Sequence, residues 1–382
     1  MISCPPEMMK VIGIGGAGGK LAAKMDAEHA ILVNVSETEL DKVSGGGEHI
    51  VAPVQSTAGQ FRGSRKDPLI GHDAYNTIRR RMQDIIGGSI VFSSTGGGTG
   101  NGITTGILED IMARDDSLES SNGIPINEKT MFCLVLPDYE QESNYVENSI
   151  DFMSNPVANA IDKGSTGNIM LFSNKLKFDE QIGEDAYNQM IVDSLNVFMT
   201  IPEKNTNFKL LELHIDHEDF TAYISKPYFN HFCYFDYDAS KDFGAQLAAN
   251  WNKLLLPPEE PIEAMFLLEV PSGMDHTIFY KILPYFEKKK VTPFYSVVEN
   301  PSLQRPFITV SQLYSRKPLE LIDEFNKVNQ EVKDAKVSKS LDQHVVLQKL
   351  DVDMKNEAKR ASKEKGLNAE EVLTALKRIN KL

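Results

Sequence analysis

The feature that most constrains this chain is a dense glycine loop that directly follows a buried-strand pattern. Residues 93–102 read Ser-Ser-Thr-Gly-Gly-Gly-Thr-Gly-Asn-Gly, after the apolar run 89–92 and before a helical pattern. Glycines lack Cβ atoms, so this backbone is expected to turn through positive φ and to approach a ligand closely. The glycines concerned are Gly96, Gly97, Gly98, Gly100 and Gly102. Their N–H groups would face one concavity at a helix N-terminus, where the dipole favours an anion.

The expected guest of this loop is a run of phosphates. The loop contains no lysine, which excludes a Walker A loop, because that motif needs Gly-Lys-Ser/Thr. The phosphate charge is therefore expected to be met by backbone amides, by Thr99 and by a metal ion.

Composition indicates a globular protein without a direct nucleic-acid surface. The 382 residues suffice for two domains with sizeable cores. The net charge of −14 argues against wrapping nucleic acid, since phosphates need clustered basic residues. The three widely spaced cysteines suit a reducing compartment and make neither a disulfide framework nor a zinc site. Neither a signal peptide nor a membrane span is expected.

The first part of the chain, residues 1–182, alternates short apolar runs with helical patterns. This alternation predicts an α/β fold with βαβ units and a Rossmann-like parallel sheet. Strands are predicted at residues 9–14, 30–35, 48–54, 89–94, 129–136 and 168–173. Helices are predicted at residues 18–28, 72–86, 102–114 and 143–163. Ligands of such sheets bind outside the carboxyl ends of the strands, where the glycine loops lie.

The rest of the chain divides into three predicted parts. Residues 183–205 read as a long central helix, and residues 206–316 as a smaller α+β domain. Residues 317–382 read as a C-terminal helix with a charged tail. Residues 355–382 carry eight basic and four acidic side chains, which suit either a solvated helix or a docking tail. The apolar positions predicted for the central helix are Ala186, Met190, Leu195 and Met199.

A second glycine loop, residues 13–19, follows the first predicted strand. Gly13, Gly15 and Gly18 satisfy Gly-x-Gly-x-x-Gly, and Glu37 lies past the next strand. Taken alone, this pattern predicts a dinucleotide-dependent oxidoreductase in which Glu37 binds a ribose hydroxyl. That fold gives no reason for a second, denser loop, whereas two loops at adjacent strand ends could enclose a longer phosphate chain.

Residues 96–102 resemble the Gly-Gly-Gly-Thr-Gly-(Ser/Thr)-Gly signature of the tubulin/FtsZ superfamily, with Asn101 replacing Ser/Thr. The resemblance is greatest to the TubZ branch, the partition tubulins of plasmids and phages. It implies a filament-forming GTPase that binds GTP, GDP and Mg²⁺. The binding residues that it implies are Gly15, Gly16, Ala17, Gly19, Asn34, Ala58, Gly59, Gly96, Gly97, Gly98, Thr99, Gly100, Asn101, Glu140, Asn144, Asn174 and Tyr187.

By the same resemblance, residues 56–59 sense the γ-phosphate, and Glu140, with Glu142 as the alternative, contacts the ribose. Tyr187 is expected to stack on guanine, and the alternative for it is a tyrosine of the core or between helices. Ile191 occupies the position of the family's base-reading Asn or Asp, so Asn174 is the best-placed polar reader of the base and Asn188 is the alternative. The basic residues beside the γ-phosphate loop have two open interpretations, a phosphate contact or a lateral neighbour. They are Arg62, Arg65 and Lys66.

The resemblance also implies that the site is completed by the next subunit. Asp216 and Asp219 are the candidate catalytic residues, acting in trans on the attacking water, and Glu218 is their local competitor. The alternative role for Asp216 is to cap the following helix. His214 and His217 are interpreted as solvated, because one histidine pair lacks a third metal ligand.

The function expected from these features is GTP-dependent filament formation for plasmid or phage DNA segregation in the bacterial host cytoplasm. Head-to-tail contacts do not close and therefore give filaments. The tail within residues 339–382 would bind a DNA-binding adaptor, without direct contact to nucleic acid or membrane. The alternatives are an FtsZ-like division or phage-positioning filament, a paralogue that binds GTP without hydrolysis or assembly, and the oxidoreductase.

Overall fold

An eleven-stranded sheet runs through the computed structural model, which describes residues 9–56, 59–60, 63–118, 129–138, 143–315 and scattered positions between 323 and 338. The strands of the fold are β1 (Lys10–Ile14), β2 (Ile31–Asn34), β3 (Glu48–Val51), β4 (Gln55–Ser56), β5 (Gly59–Gln60), β6 (Ser89–Ser94), β7 (Met131–Leu136), β8 (Ile169–Ser173), β9 (Lys209–Glu212), β10 (Phe229–Asp236), β11 (Glu263–Val270), β12 (Phe294–Glu299) and β13 (Phe307–Tyr314). Strands β4 and β5 form a separate hairpin.

Helices alternate with these strands. They are α1 (Gly15–Met25), α2 (Glu37–Leu40), α3 (Pro68–Ile85), α4 (Gly98–Leu118), α5 (Ser143–Phe152), α6 (Ala158–Asp162), α7 (Lys175–Asp179), α8 (Glu184–Met199), α9 (Ile201–Asn207), α10 (His217–Ile224), α11 (Phe243–Ala249) and α12 (Leu283–Lys288). A π-helical segment, Met153–Val157, joins α5 to α6, and a 3₁₀ segment, His276–Lys281, precedes α12.

The sheet has the order β3-β2-β1-β6-β7-β8-β10-β13-β11-β12-β9. The six strands at one side of this order, β3-β2-β1-β6-β7-β8, are all parallel, as the βαβ pattern predicts. Beyond β10 the sheet becomes mixed, because β13 is antiparallel to both β10 and β11. The predicted fold class, a parallel α/β domain followed by a smaller α+β region, is confirmed.

The two parts of the sheet meet between β8 and β10. A single residue pair, Phe229 with Ile169, lies in register there. The rest of the β8 edge is covered by residues 254–256, where Ser173 N donates to Leu254 O at 2.8 Å. The parallel and mixed parts are therefore continuous but joined by little pairing.

The chain divides into two compact units, Met1–Phe325 and Asn326–Leu382. All of the strands and helices above belong to the first unit. In the second, the described positions between 326 and 338 are helical, and Gln330 Nε2 donates to Asp334 Oδ1 at 3.1 Å. The predicted tail role of residues 339–382 falls outside the described residues. The predicted boundaries at 182, 205 and 316 stay predictions.

The buried face of the central helix differs from the prediction. Ala186 and Met190 are exposed, whereas Leu195 and Met199 are buried as expected. The helix packs on the sheet through Tyr187, Ile191, Val192, Leu195, Phe198 and Met199. It also ends at Met199, before Pro202 enters the first turn of α9, where a missing N–H costs little.

Three helices begin earlier than the sequence pattern predicts, and all three starts surround the glycine loops. Helix α1 begins at Gly15 and α4 at Gly98, so glycines expected in the loops belong to the first helical turns. Helix α3 begins at Pro68, with Asp67 Oδ1 accepting from Leu69 N at 2.9 Å as a cap. The sequence pattern does not predict strand β10 or helix α11, whereas a helix after Asp216, the capping alternative, is present as α10. No helix in the described part of the chain is long and apolar enough to cross a membrane.

Candidate nucleotide-binding site

A cavity of about 550 Å³ lies where α1 follows β1 and α4 follows β6. Its volume is typical of small-molecule sites. The N–H groups of a first helical turn have no partner within their helix, so both helix N-termini offer donors to an anion. The predicted site residues that line the cavity are Gly16, Ala17, Gly96, Gly97, Gly98, Thr99, Gly100 and Asn174.

The glycines of the α4 loop are required by close packing, and the expectation of positive φ is wrong. None of the five has a positive φ. A Cβ at Gly98 would lie 2.6 Å from Asp67 N, and one at Gly96 would lie 2.7 Å from Tyr145 O. The loop is thus pressed against neighbouring backbone. Gly15, in contrast, has φ +71 and lies against Gly100, where a Cβ would approach Gly100 N to 3.0 Å.

Asn101 fixes the backbone of the α4 glycine loop through two hydrogen bonds. Its Nδ2 donates to Thr95 O at 2.6 Å and to Asn148 O at 3.0 Å, and Asn101 is 4% exposed. Asn101 therefore holds the backbone in place from a buried position and is absent from the described cavity wall.

Glu39, rather than Asn34, faces the cavity after β2. Asn34 is 2% exposed, and its Nδ2 donates to Glu39 Oε2 at 2.9 Å. Ser36 caps α2 by accepting from Glu39 N at 3.3 Å. Asn34 therefore orients the Glu39 carboxylate, which lines the cavity. Glu37, the acidic residue that the dinucleotide pattern selects, is exposed in the first turn of α2.

Asn174 and Glu184 form another polar part of the cavity wall. Glu184 opens α8 and accepts from Lys20 Nζ at 2.9 Å. This ammonium holds the pKa of the Glu184 carboxyl below its usual range, so the side chain is a carboxylate near neutral pH. Sequence reasoning misses Glu184, although its place at the start of the central helix is visible there.

Tyr187 lies in the core instead of the cavity. It is 1% exposed, and its hydroxyl donates to the Ser173 carbonyl. A ring that is packed on all sides cannot stack on a base without rearrangement, so this position does not support the stacking prediction. Ile191, one turn later, is likewise buried in the core, and Asn188 is 9% exposed.

The remaining predicted residues lie apart from the described cavity wall or outside the described residues. Gly59 lies in the β4–β5 hairpin, and Asn144 is exposed in the first turn of α5. Gly19 lies inside α1, where a Cβ would meet nothing within 4 Å. Ala58 and Glu140 fall outside the described residues, as does Arg62.

Asp216 and Asp219 share the N-terminus of α10. Asp216 is the helix cap, since its Oδ1 accepts from Asp219 N at 2.8 Å. Asp219 is exposed in the first turn, as are His217 and Glu218, while Asp216 is half-buried. The capping role of Asp216 is therefore present, and the exposed carboxylate of the predicted pair is that of Asp219.

In the described part of the chain, no group of three or more His, Cys, Asp or Glu side chains could hold a metal ion. Mg²⁺ in phosphate sites typically takes one or two protein oxygens, with phosphate oxygens and water completing its shell. Thr99 and Ser94 line the cavity, and each has a side-chain hydroxyl of the kind that fits this requirement.

Comparisons with known proteins find matches to the fold of this chain and none to a family model or a curated sequence. A scan against protein-family models gives no match, and a search of curated protein sequences finds no relative. Solved structures do match. The C-terminally truncated TubZ of Clostridium botulinum phage c-st has a TM-score of 0.61 at 16% identity, over 85% of this chain and 97% of its own.

Two further structures share the fold. The GDP-bound monomer of CetZ1 from Haloferax volcanii has a TM-score of 0.60 at 18% identity, over 85% of this chain and 99% of its own. A GTPγS-form protofilament of Bacillus thuringiensis TubZ has a TM-score of 0.63 at 12% identity, over 86% of this chain and 94% of its own. Each likeness covers at least 85% of this chain. The chain therefore has the fold of the tubulin/FtsZ superfamily.

Proposed function

We propose that this protein is a GTPase whose subunits assemble head to tail into filaments and hydrolyse GTP where two subunits meet. The observation that carries the proposal is the cavity between the N-termini of α1 and α4. Two sets of first-turn N–H groups at adjacent strand ends suit a chain of phosphates better than a single pyrophosphate contact.

The structural neighbours support both parts of the proposal. CetZ1 is described with GDP, and the Bacillus thuringiensis TubZ as a GTPγS-form protofilament. This chain shares their fold and the cavity lies at its glycine loops, so we assign the cavity to GTP or GDP. The same fold favours the GTPase over the oxidoreductase hypothesis.

Catalysis is proposed to require a second subunit. Phosphoryl transfer to water needs little beyond an oriented nucleophile and stabilisation of phosphate charge. Asp219, exposed at the N-terminus of α10, would orient the water on a neighbour's GTP. Asp216 would hold that turn through its cap. Mg²⁺, held by the phosphates with Thr99 or Ser94, would supply positive charge to the phosphates when bound.

GTP-dependent assembly tests the proposal. Light scattering and pelleting should rise on addition of GTP and Mg²⁺ above a critical protein concentration, and should stay at baseline with GDP. Parallel binding measurements with GTP and NAD separate the two nucleotide hypotheses. GTP binding without assembly or turnover would contradict the GTPase proposal and favour a paralogue that binds GTP without hydrolysing it. Tight NAD binding without GTP binding would overturn the GTPase proposal and favour the oxidoreductase.

The base is proposed to be read by Asn174 and Glu184. Guanine presents N–H donors on its Watson–Crick edge, and the Glu184 carboxylate is a strong acceptor on the cavity wall. Glu184→Gln is expected to lower the preference for GTP over ATP about tenfold or more in competition binding. The matched control is Asp185→Asn in the same turn, which also pairs with α1, through Lys24 at 2.8 Å. If Glu184→Gln and Asp185→Asn show the same preference for GTP over ATP, this assignment is contradicted.

The biological role is proposed from the resemblance to the TubZ branch. The filament would segregate plasmid or phage DNA in a bacterial host cytoplasm, and an adaptor that binds DNA would contact residues 339–382. The acidic body of the chain fits an adaptor better than direct DNA contact, because phosphates need clustered basic residues.

A further inference from the structure

A second cavity, of about 780 Å³, lies in the mixed part of the sheet, where β10 ends and β13 begins. Its walls are residues 236–242, helix α11, residues 274–278 after β11 and residues 305–306. None of its described lining residues belongs to the cavity at the glycine loops. We call it the α11 cavity, and its volume is typical of small-molecule sites.

The turn that leads into α11 forms one wall and is fixed by hydrogen bonds from neighbouring elements. Asp238 N donates to Gln246 Oε1 at 2.9 Å, and Gln246 Nε2 donates to Asp238 O at 2.9 Å. Lys281 Nζ, from the 3₁₀ segment, donates to Ala239 O at 2.9 Å, and Asp242 caps α11. Because this wall is already ordered, a ligand would bind with little further loss of conformational entropy.

The side chains of the α11 cavity carry an excess of negative charge. Four of them are carboxylates and two are basic, which gives a net charge of −2. They are Asp236, Asp238, Asp242 and Asp275, with Lys241 and Arg305. Hydrogen bonds from Ser240 hold the pKa of Asp238 at about 2, so this group is a carboxylate near neutral pH. The excess favours a ligand with at least two positive charges.

The spacing of these carboxylates does not suit a metal ion. In the part of the chain that the structure describes, no three or more His, Cys, Asp or Glu side chains lie close enough to hold one. The same walls also carry apolar side chains, from Ala239, Ala245, Ala249, Met274, Ile278 and Pro306. A cation whose charges are separated by methylene groups matches walls that carry both carboxylates and apolar groups.

Tyr237 is an independent indication of a ligand, because it lines the α11 cavity with an unpaired hydroxyl. Its side chain is 2% exposed, and among the described residues the hydroxyl has no hydrogen-bond partner. Burial raises the pKa of Tyr237 to about 12, so the hydroxyl is neutral and can accept a hydrogen bond. A buried hydroxyl without a partner is destabilising, and in native structures such groups usually meet water or a ligand.

We propose that the α11 cavity binds a linear organic cation with two or more ammonium groups separated by methylene chains. The ammonium groups would pair with Asp242 and Asp275, which lie on different walls, and one of them would donate to the Tyr237 hydroxyl. The methylene groups would lie on the apolar side chains. The inference is independent of the proposed function, since the two cavities share none of their described lining residues.

Calorimetry with spermidine as the probe, at fixed ionic strength and without nucleotide, tests the inference. Saturable binding to one site is expected, and Mg²⁺ at equal charge concentration should not displace spermidine. Asp242→Asn and Asp275→Asn each remove a charge while asparagine still caps the following helical segment. Each variant is expected to weaken spermidine binding about threefold to tenfold, and the double variant about tenfold to a hundredfold.

The matched control is Asp26→Asn, at the end of α1 and outside the α11 cavity. Asp26 Oδ1 accepts from His29 N at 3.0 Å, so asparagine removes one charge and keeps an acceptor there as well. The affinity of Asp26→Asn for spermidine should equal that of the wild type. This control separates a specific site from the general attraction of a cation to an acidic protein.

Tyr237→Phe separates ligand contact from packing. Phenylalanine keeps the edge contact with Phe243, whose ring centre lies 6.0 Å away, and removes only the unpaired hydroxyl. The urea midpoint of unfolding should therefore equal or exceed that of the wild type. Spermidine affinity should nevertheless fall about threefold to tenfold.

Each of four results would overturn the inference. They are no saturable spermidine binding by the wild type, equal affinity in the wild type and the Asp242→Asn/Asp275→Asn variant, equal weakening in Asp26→Asn, and unchanged affinity in Tyr237→Phe. Displacement of spermidine by Mg²⁺ would do the same, because it indicates diffuse attraction. GTP binding measured on the same samples tests the proposed function separately, so either proposal can fail alone.

Discussion

Asp219→Asn is expected to lower GTP turnover in the assembled protein about a hundredfold or more, with GTP affinity within about twofold of wild type. Asp219 carries the exposed carboxylate of the pair at the α10 N-terminus, whereas Asp216 already accepts from Asp219 N at 2.8 Å. Turnover is measured by phosphate release, and affinity by calorimetry below the critical concentration.

Two controls separate chemistry from helix capping. Asp216→Asn keeps a good cap, and Asp216→Ala removes it at a cost of about 1 kcal/mol, which urea unfolding measures. Glu218→Gln removes an exposed carboxylate from the same helical turn and is expected to keep near-wild-type turnover. Wild-type turnover in Asp219→Asn would remove the catalytic assignment from this residue, and loss in Glu218→Gln would transfer it.

Complementation tests whether the acidic residue acts across the interface. Gly97 lines the cavity, so Gly97→Asp places a carboxylate against the phosphates and should prevent GTP binding. A mixture of Asp219→Asn and Gly97→Asp proteins is expected to recover turnover that neither shows alone. In the mixture, each active contact joins the intact nucleotide site of an Asp219→Asn subunit to the intact Asp219 of a Gly97→Asp subunit. Failure to recover turnover in a mixture in which the two folded proteins pellet together would place catalysis within one subunit.

Gly102→Ala is expected to abolish GTP binding and to lower the free energy of unfolding by about 1–3 kcal/mol or more. A Cβ at Gly102 would lie 2.0 Å from Pro68 O and 2.5 Å from His72 N. Both atoms are backbone atoms of α3, so the clash moves α4 away from α3 and displaces the amides at its N-terminus. Urea unfolding and GTP calorimetry measure the two effects.

The matched control for stability is Gly19→Ala. Gly19 is the fifth residue of α1, as Gly102 is of α4. A Cβ at Gly19 meets nothing within 4 Å, and alanine favours a helix over glycine by about 1 kcal/mol. The urea concentration at the midpoint of unfolding of Gly19→Ala should therefore equal or exceed that of the wild type. Equal destabilisation in both variants would mean that close packing of α3 on α4 is not the cause.

Local patterns in the sequence predict part of this fold well. The pattern predicts strand β6 with its observed bounds, because an apolar run there meets glycines on both sides. The predicted start of α3 is too late, although the Asp67–Pro68 pair is a helix-start signal. The positive φ expected in the α4 loop is wrong, since only the packed structure shows that Gly98 and Gly102 are needed for close packing around α3.

The glycine-loop half of the candidate site is predictable from the sequence, and the rest of the site is less predictable. The glycine loops are local in sequence, so their cavity can be anticipated. The position of Tyr187 depends on how α8 packs against the sheet, which periodicity does not determine. Glu39 is oriented at the cavity by its bond to Asn34, and Lys66 by the contacts around residues 63–67. Such tertiary contacts leave no pattern of fixed spacing.

The junction between β8 and β10 is held by side chains and loop backbone as well as by strand pairing. Beside the register pair of Phe229 with Ile169, Asn230 Nδ2 donates to Asn168 Oδ1 at 2.7 Å, and Phe198 of α8 stacks on Phe232 of β10. Phe198 of α8, Met170 of β8 and Phe232 of β10 belong to one buried cluster. A shift of α8 would therefore disturb the packing on both sides of the junction at once, so this helix couples the parallel and mixed parts of the sheet.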